Sequence, residues 1–147
     1  MIFRDFPVYD HRVAKRPSDV WRERVEEEAA EMARGELSPD DASAAHLWSD
    51  QLIAGTDAVL AAFEAELGAL AAPSDRDVLD VVRRAVLALN RVNYRVGDAG
   101  LIGIETEERN ELGRYFDDSL AESGIDVAAL AARNDIPDSD ITGGRDW

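Results

Sequence analysis

The sequence contains no cysteine and only two histidines, His11 and His46. The absence of cysteine excludes disulfide bonds, thiolate metal sites and cysteine nucleophiles, and two histidines are too few for a histidine-rich metal site. Neither histidine has a glutamate three residues before it, so the Glu-x-x-His pattern of di-iron helical bundles is missing. A Gly-x-Ser-x-Gly elbow, which is typical of serine hydrolases, is absent as well. These absences favour a non-enzymatic protein without a cofactor.

Long apolar runs are also missing. The longest apolar stretch, residues 58–72, is interrupted by Glu64 and Glu66 and is too short to span a bilayer. The first seven residues carry charges and a proline where a signal peptide has an apolar run. We therefore expect a cytoplasmic protein with no membrane partner.

Acidic residues, by contrast, are abundant. The chain has 31 Asp and Glu against 16 Lys and Arg, so its formal net charge is -15 over 147 residues. Its hydrophobic content of 46% is that of a globular protein, so the charge does not indicate disorder. A charge of this sign disfavours binding to nucleic acid and favours a basic protein partner.

Apolar residues recur with helical spacing in the first half of the chain. An extended N-terminal arm, residues 1–17, is predicted to precede helix one over 19–34, with Ser18 as its N-cap. Helix two is predicted to start at Ser38-Pro39 and to continue for about nine turns to Pro73. The residues of helix one predicted to face inward are Trp21, Val25, Ala29, Met32 and Ala33.

The second half predicts two further long helices and one short helix. Helix three follows a capping box formed by Ser74 and Asp77. Thr106 is predicted to be the N-cap of helix four, which ends at Gly124. A short helix over 126–133 precedes a polar tail, residues 134–147. The predicted class is all-α: one domain, residues 1–147, folded as a four-helix bundle with a short fifth helix and an extended N-terminal arm.

Acidic residues on two of these helices are candidate contacts to a basic partner. Glu23, Glu27 and Glu31 follow each other at four-residue steps on helix one, and Asp117 and Asp118 lie on helix four. Such a stripe can also be a solvated face without a partner. The tryptophans predicted to be exposed and to anchor the partner are Trp48 and Trp147.

Two alternatives remain open. Two pairs of acidic residues, each with two residues between its members, resemble the pairs with which the all-helical nucleotide pyrophosphatases bind Mg²⁺. This resemblance would indicate a metal-dependent enzyme acting on phosphorylated small molecules. The residues of this alternative metal site are Glu28, Glu31, Asp77 and Asp80. The other alternative is a helical homodimer without a ligand, in which the long helix two pairs with its copy.

The segment from Asn90 to Arg114 is unusually polar for its apolar surroundings. One interpretation is a small polar pocket, whose candidate residues are Asn90, Arg91, Asn93, Glu105 and Glu108. The other is internal hydrogen bonding, in which arginines pair with Glu105, Glu108 or Glu111 and the asparagine amides close the loop. The arginines concerned form one stripe of helix three: Arg84, Arg91 and Arg95.

The C-terminal half resembles a mostly uncharacterised family of small acidic helical bacterial proteins. The resemblance is carried by Leu89-Asn90, by Glu105-Thr106-Glu107-Glu108-Arg109, by Leu112, and by the closing Asp140-Ile141-Thr142 and Arg145-Asp146-Trp147. Gly143-Gly144 stands where that family has bulkier residues. Some proteins of this kind look like immunity proteins for secreted toxins. The resemblance therefore implies an immunity or inhibitor protein that occludes a basic partner such as a toxin or a nuclease, and it implies no catalytic residues.

Overall fold

A computed structural model describes residues 14–147 of the chain. This part contains helices and no β-strand, so the predicted all-α class is confirmed. The six α-helices are α1 (Pro17–Ala33), α2 (Ala44–Leu47), α3 (Asp50–Gly68), α4 (Asp75–Asp98), α5 (Thr106–Glu122) and α6 (Val127–Arg133), and a 3-10 turn follows at Pro137–Ser139. Most of the predicted N-terminal arm, residues 1–13, lies outside the described residues.

The predicted long helix two is wrong, because the segment is divided into a turn, α2 and α3. Pro39 and Asp41 form a turn, in which the Asp41 N–H donates to the Ser38 carbonyl at 3.0 Å. Trp48 then leaves the helical conformation (φ -121, ψ 88), and the Ser49 side chain accepts the Leu52 N–H as the N-cap of α3. Serine competes well for this capping position, so a new helix starts there. The longest helix is α4, with 24 residues.

Most other predicted helix ends are confirmed to within two residues. Ser74 and Asp77 form the predicted capping box at the start of α4. The N-cap of α5 is Glu105 rather than Thr106, because Glu105 and Glu108 make a reciprocal capping box there. Ser18 is not a cap either, since α1 begins at Pro17 and the buried Ser18 hydroxyl donates to Asp57.

The core is one cluster of buried side chains contributed by the helices and by the C-terminal segment. α3 and α4 pack antiparallel, and α5 adds the aromatic rings of Tyr115 and Phe116. Phe63 of α3 meets Phe116 edge-on with ring centroids 4.9 Å apart. These buried positions follow the predicted 3.6-residue period, which explains why the helical class was readable from the sequence.

Helix α1 departs from its predicted pattern. Trp21 is buried and Val25 is partly buried against the core, but Ala29, Met32 and Ala33 are exposed. The prediction that these three residues face the core is wrong, because the C-terminal half of α1 extends beyond the packed body.

Two helical glycines give opposite expectations for replacement by alanine. A Cβ on Gly55 would lie 2.9 Å from Cγ1 of Val92, whose branched side chain has little rotamer freedom, whereas a Cβ on Gly113 would have no neighbour within 4 Å. Gly113→Ala is therefore expected to raise the free energy of unfolding by about 0.5–1 kcal/mol. Gly55→Ala is expected to lower it by about 1 kcal/mol, because overpacking outweighs the gain in helix propensity. Urea denaturation of both variants checks the two signs, and a stabilised Gly55→Ala protein would contradict the close α3–α4 contact.

Candidate partner-binding surface

The outer face of α1 carries an acidic ridge, which we define as Glu23, Glu26 and Glu27. At 100° per residue these three side chains surround Ala30 on the side of the helix opposite Trp21, and all three are exposed. Glu23 pairs with Lys15 at 2.9 Å. Glu31 is half-buried at the flank of the ridge. Because the buried residues of α1 are Pro17, Ser18 and Trp21, the ridge projects from the body and is accessible to a partner.

An apolar groove of about 330 Å³ lies beside the ridge, between the start of α1 and α5. We call it the α1–α5 groove. Ala14, Pro17 and Val20 line its α1 side. Its α5 side carries the carboxylates of Glu111, Asp118 and Glu122. Lys15 and Arg114 also line the groove, so its charged lining residues have a formal net charge of -1. The groove can therefore accept an apolar side chain flanked by cationic ones.

Asp117 does not belong to the same surface as Asp118. Adjacent residues of a helix point about 100° apart, and Asp117 faces a polar cleft of about 430 Å³ between α5 and the C-terminal segment. Loss of hydration raises the pKa of Asp117, although the residue is exposed, and the charges of Asp118 and Asp140 raise it further. The arginines of this cleft are Arg109, Arg114 and Arg145, which balance its three aspartates Asp117, Asp138 and Asp140. The cleft is thus neutral in formal charge, unlike the α1–α5 groove.

The predicted exposure of the two candidate tryptophan anchors is wrong. Trp48 is 8% exposed and Trp147 is 5% exposed. Trp48 stacks on Trp21, with ring centroids 6.1 Å apart and an interplanar angle of 9°. The indole N–H groups of both rings donate to glutamates of α5 that are three residues apart. Trp48 donates to Glu108 at 3.3 Å, and Trp21 donates to Glu111 at 2.9 Å. Trp21 and Trp48 therefore both belong to the buried core.

The predicted polar tail is folded onto the body. Ile141, Thr142 and Trp147 are buried, and the Trp147 indole N–H donates to the Val86 carbonyl at 3.4 Å. Arg145 donates to the Asp140 carboxylate at 2.7 Å. Arg145 and Asp140 of the tail thus bind each other, while Trp147 attaches the tail to α4.

The five residues of the candidate polar pocket do not converge on one site. Asn90 accepts the Asp146 N–H at 2.8 Å and donates to the Gly144 carbonyl at 3.1 Å, so it holds the tail. Asn93 accepts the Ile104 N–H at 2.8 Å and closes the loop after α4. Glu105 and Glu108 form the capping box of α5, and Arg91 lines a different groove, between α3 and α4. The prediction that the asparagine amides close the loop is confirmed for Asn93 and is wrong for Asn90, which binds the tail. Arg84 pairs with Glu66 instead of a glutamate of α5.

The alternative metal site is not assembled. Glu28 accepts the Ala44 N–H at 3.0 Å, and Asp77 is occupied in its capping box with Ser74. The Oδ2 atom of Asp80 lies 3.9 Å from Nε of Arg76, so this carboxylate faces a cation of its own helix. Among residues 14–147, no group of three or more histidine, aspartate or glutamate side chains is arranged to hold a metal ion. The structure therefore does not bring Glu28, Glu31, Asp77 and Asp80 together as that hypothesis requires.

A bilayer-crossing helix is not found in the part of the chain that the structure describes, because no helix there has the required length and apolar character.

Comparisons with protein-family models, with curated proteins and with solved structures give no match to this chain.

Proposed function

We propose that the protein is a non-enzymatic binding protein that occludes a basic protein partner, as an immunity or inhibitor protein occludes a toxin or a nuclease. The observation that carries the proposal is the position of the acidic ridge next to the apolar α1–α5 groove. Asp118 lines the α5 side of the groove, and the exposed Glu23 lies one helical turn after Val20, which lines the α1 side. We also propose that the four longer helices act as a bundle that holds these two features in a fixed relation.

Charge and apolar contact have separate parts in this proposal. Attraction between the ridge and a basic surface accelerates encounter, and this effect falls as salt increases. Affinity requires buried contact in addition. Because Trp48 and Trp147 are buried, the apolar contact is assigned to the α1–α5 groove, where Val20 is half-buried and accessible. The partner therefore presents an apolar side chain bordered by lysine or arginine.

The proposal is tested by capture of a partner with three forms of the tagged protein. The site variant combines Glu23→Gln, Glu27→Gln and Asp118→Asn. The control variant removes the same number of charges at exposed positions elsewhere, with Asp40→Asn, Asp98→Asn and Glu107→Gln. Each form is incubated with lysate of the source organism at low salt and at about 0.15 M, where the Debye length is about 8 Å.

We expect one stoichiometric basic protein to be retained at the higher salt by the wild type and by the control variant. The site variant is expected to lose it at the higher salt. Equal retention by the site and control variants would show that the net charge alone attracts the protein. Salt-labile binding of many unrelated proteins would overturn the proposal.

A further inference from the structure

The charge of the chain is locally reversed on α4. Residues 81–97 contain four arginines and no acidic residue, although the whole chain has a net charge of -15. Arg83, Arg84, Arg91 and Arg95 are all exposed. Arg84 is paired across the helix interface with Glu66 of α3 at 2.8 Å. Arg91 and Arg95 lie four residues apart on the same side of the helix, which separates them by about 6 Å along its axis.

These two arginines border a groove between α3 and α4, which we call the α3–α4 groove. Its first part has a volume of about 290 Å³ and is lined by apolar residues that include Val59, Phe63 and Ala88, with Arg91 at its edge. A second part of about 250 Å³ lies further along the same seam, beside Val92 and Arg95. Leu87, which lines the first part, is 36% exposed. The groove is thus an open apolar channel with a basic border.

The complementary surface is present on the same molecule. The acidic ridge of α1 places Glu23 and Glu27 four residues apart, which is the spacing of Arg91 and Arg95. Ala30 lies on the same face of α1, about one turn after Glu26 and Glu27, and its small side chain permits close approach of another helix. The end of α1 leaves Met32 37% exposed beyond the packed body.

We propose that the α3–α4 groove is a docking surface for α1 of a second copy of this chain. Glu23 and Glu27 of the second copy pair with Arg91 and Arg95, and the Ala30 side of the helix covers the apolar channel. This mode is that of an amphipathic helix in a groove. Charge complementarity favours this occupant, because the border is basic and the ridge presents two exposed carboxylates at the same four-residue spacing. The proposal does not rest on the proposed function, since it requires no other protein.

The test measures the mass of the purified protein by sedimentation and light scattering, from micromolar to millimolar concentration at about 0.15 M salt. The groove variant is Arg91→Glu with Arg95→Glu, and the ridge variant is Glu23→Arg with Glu27→Arg. The control variant, Arg76→Glu with Arg133→Glu, makes the same change of charge as the groove variant at exposed positions away from both the groove and α1. Far-UV circular dichroism verifies folding, and Arg91→Gln with Arg95→Gln replaces the groove variant should it fail to fold.

We expect the mass of the wild type and of the control variant to rise with concentration toward that of the dimer. The groove variant alone and the ridge variant alone are each expected to remain monomeric. An equimolar mixture of the groove and ridge variants is expected to associate again, because the reversed groove meets the reversed ridge. A wild type that stays monomeric at millimolar concentration, a groove variant that associates like the wild type, or a mixture that fails to associate would overturn the proposal.

Discussion

Trp21→Ala is expected to lower the free energy of unfolding by about 3–5 kcal/mol, the range found for removal of a large buried aromatic side chain. Trp21 is 0% exposed and stacks on Trp48. Its indole N–H also donates to Glu111 of α5 at 2.9 Å. The substitution therefore creates a cavity at the only stacked indole pair among the described residues and removes a link between α1 and α5. Denaturation in urea, followed by far-UV circular dichroism, measures the change.

Two variants separate the causes of this loss. Trp21→Phe keeps an aromatic ring and removes the N–H donor, so its cost is expected to be about 1–3 kcal/mol and clearly below that of alanine. Tyr94→Ala is the control for loss of an aromatic ring at the surface, because Tyr94 is 56% exposed, and it is expected to cost less than about 1 kcal/mol. If Trp21→Ala costs no more than Tyr94→Ala, the stacked pair does not hold α1 on the body.

The helical class and much of the core were readable from local pattern alone. Val78, Val82, Val86 and Leu89 recur at helical spacing and are all buried in α4. The Ser74 capping box is equally local, because both partners lie within one turn. Such features depend on neighbours in sequence, so a periodicity argument captures them.

The break at Trp48 depends on a contact that the local pattern does not contain. Leu47 and Leu52 continue the apolar periodicity across it, so the sequence predicts an unbroken helix. The chain instead leaves the helix at Trp48, whose ring then reaches Trp21, 27 positions earlier. Stacking and the Ser49 cap together favour the break, and only the cap was visible as a residue type.

The candidate surface was predictable where it depends on polarity and not where it depends on tertiary packing. Charged residues on the outer face of a helix are normally exposed, and Glu23 and Glu27 follow that rule. The burial of Trp147 was not predictable in this way, because a tail with few apolar residues gives no local sign that Asn90 binds it to α4. The basic border of the α3–α4 groove was visible as a stripe of arginines, but the groove itself arises from the pairing of two helices.

Arg16→Met is expected to lower the free energy of unfolding at pH 7 by about 2–3 kcal/mol. Arg16, the residue before α1, donates two hydrogen bonds to the Glu64 carboxylate, at 2.8 and 2.9 Å, and one to Asp57 at 3.2 Å. Tyr115 of α5 donates to the same glutamate at 2.5 Å. The side chains are about one-quarter exposed, so the loss falls below the 3–5 kcal/mol typical of breaking a fully buried ion pair. The network joins the start of α1 to α3 and α5, and methionine keeps an unbranched apolar stem while removing the guanidinium group and its charge.

The contribution of the same network to the free energy of unfolding decreases as the pH is lowered. Burial alone would raise the pKa of Glu64, but hydrogen bonds from Arg16 and Tyr115 outweigh it and lower that pKa. Burial alone would also raise the pKa of Asp57, but hydrogen bonds from Ser18 and Arg16 outweigh it and lower that pKa. A carboxylate with a lowered folded-state pKa stabilises the fold fully above its unfolded pKa, here about 4 to 4.5. This contribution is lost as the pH falls through the folded-state value.

The difference in unfolding free energy between the wild type and Arg16→Met is therefore expected to be largest at neutral pH and to shrink below about pH 4. Urea denaturation at a series of pH values measures it. Arg34→Met is the matched control, because Arg34 forms an exposed pair with Glu36, in which the side chains are 55% and 59% exposed. Such a pair contributes about 0–1 kcal/mol, so the control is expected to remain close to the wild type at every pH. Equal losses in the two variants, or a difference for Arg16→Met that persists unchanged in acid, would contradict the assignment of the stabilising effect of Arg16 to its bonds with Glu64 and Asp57.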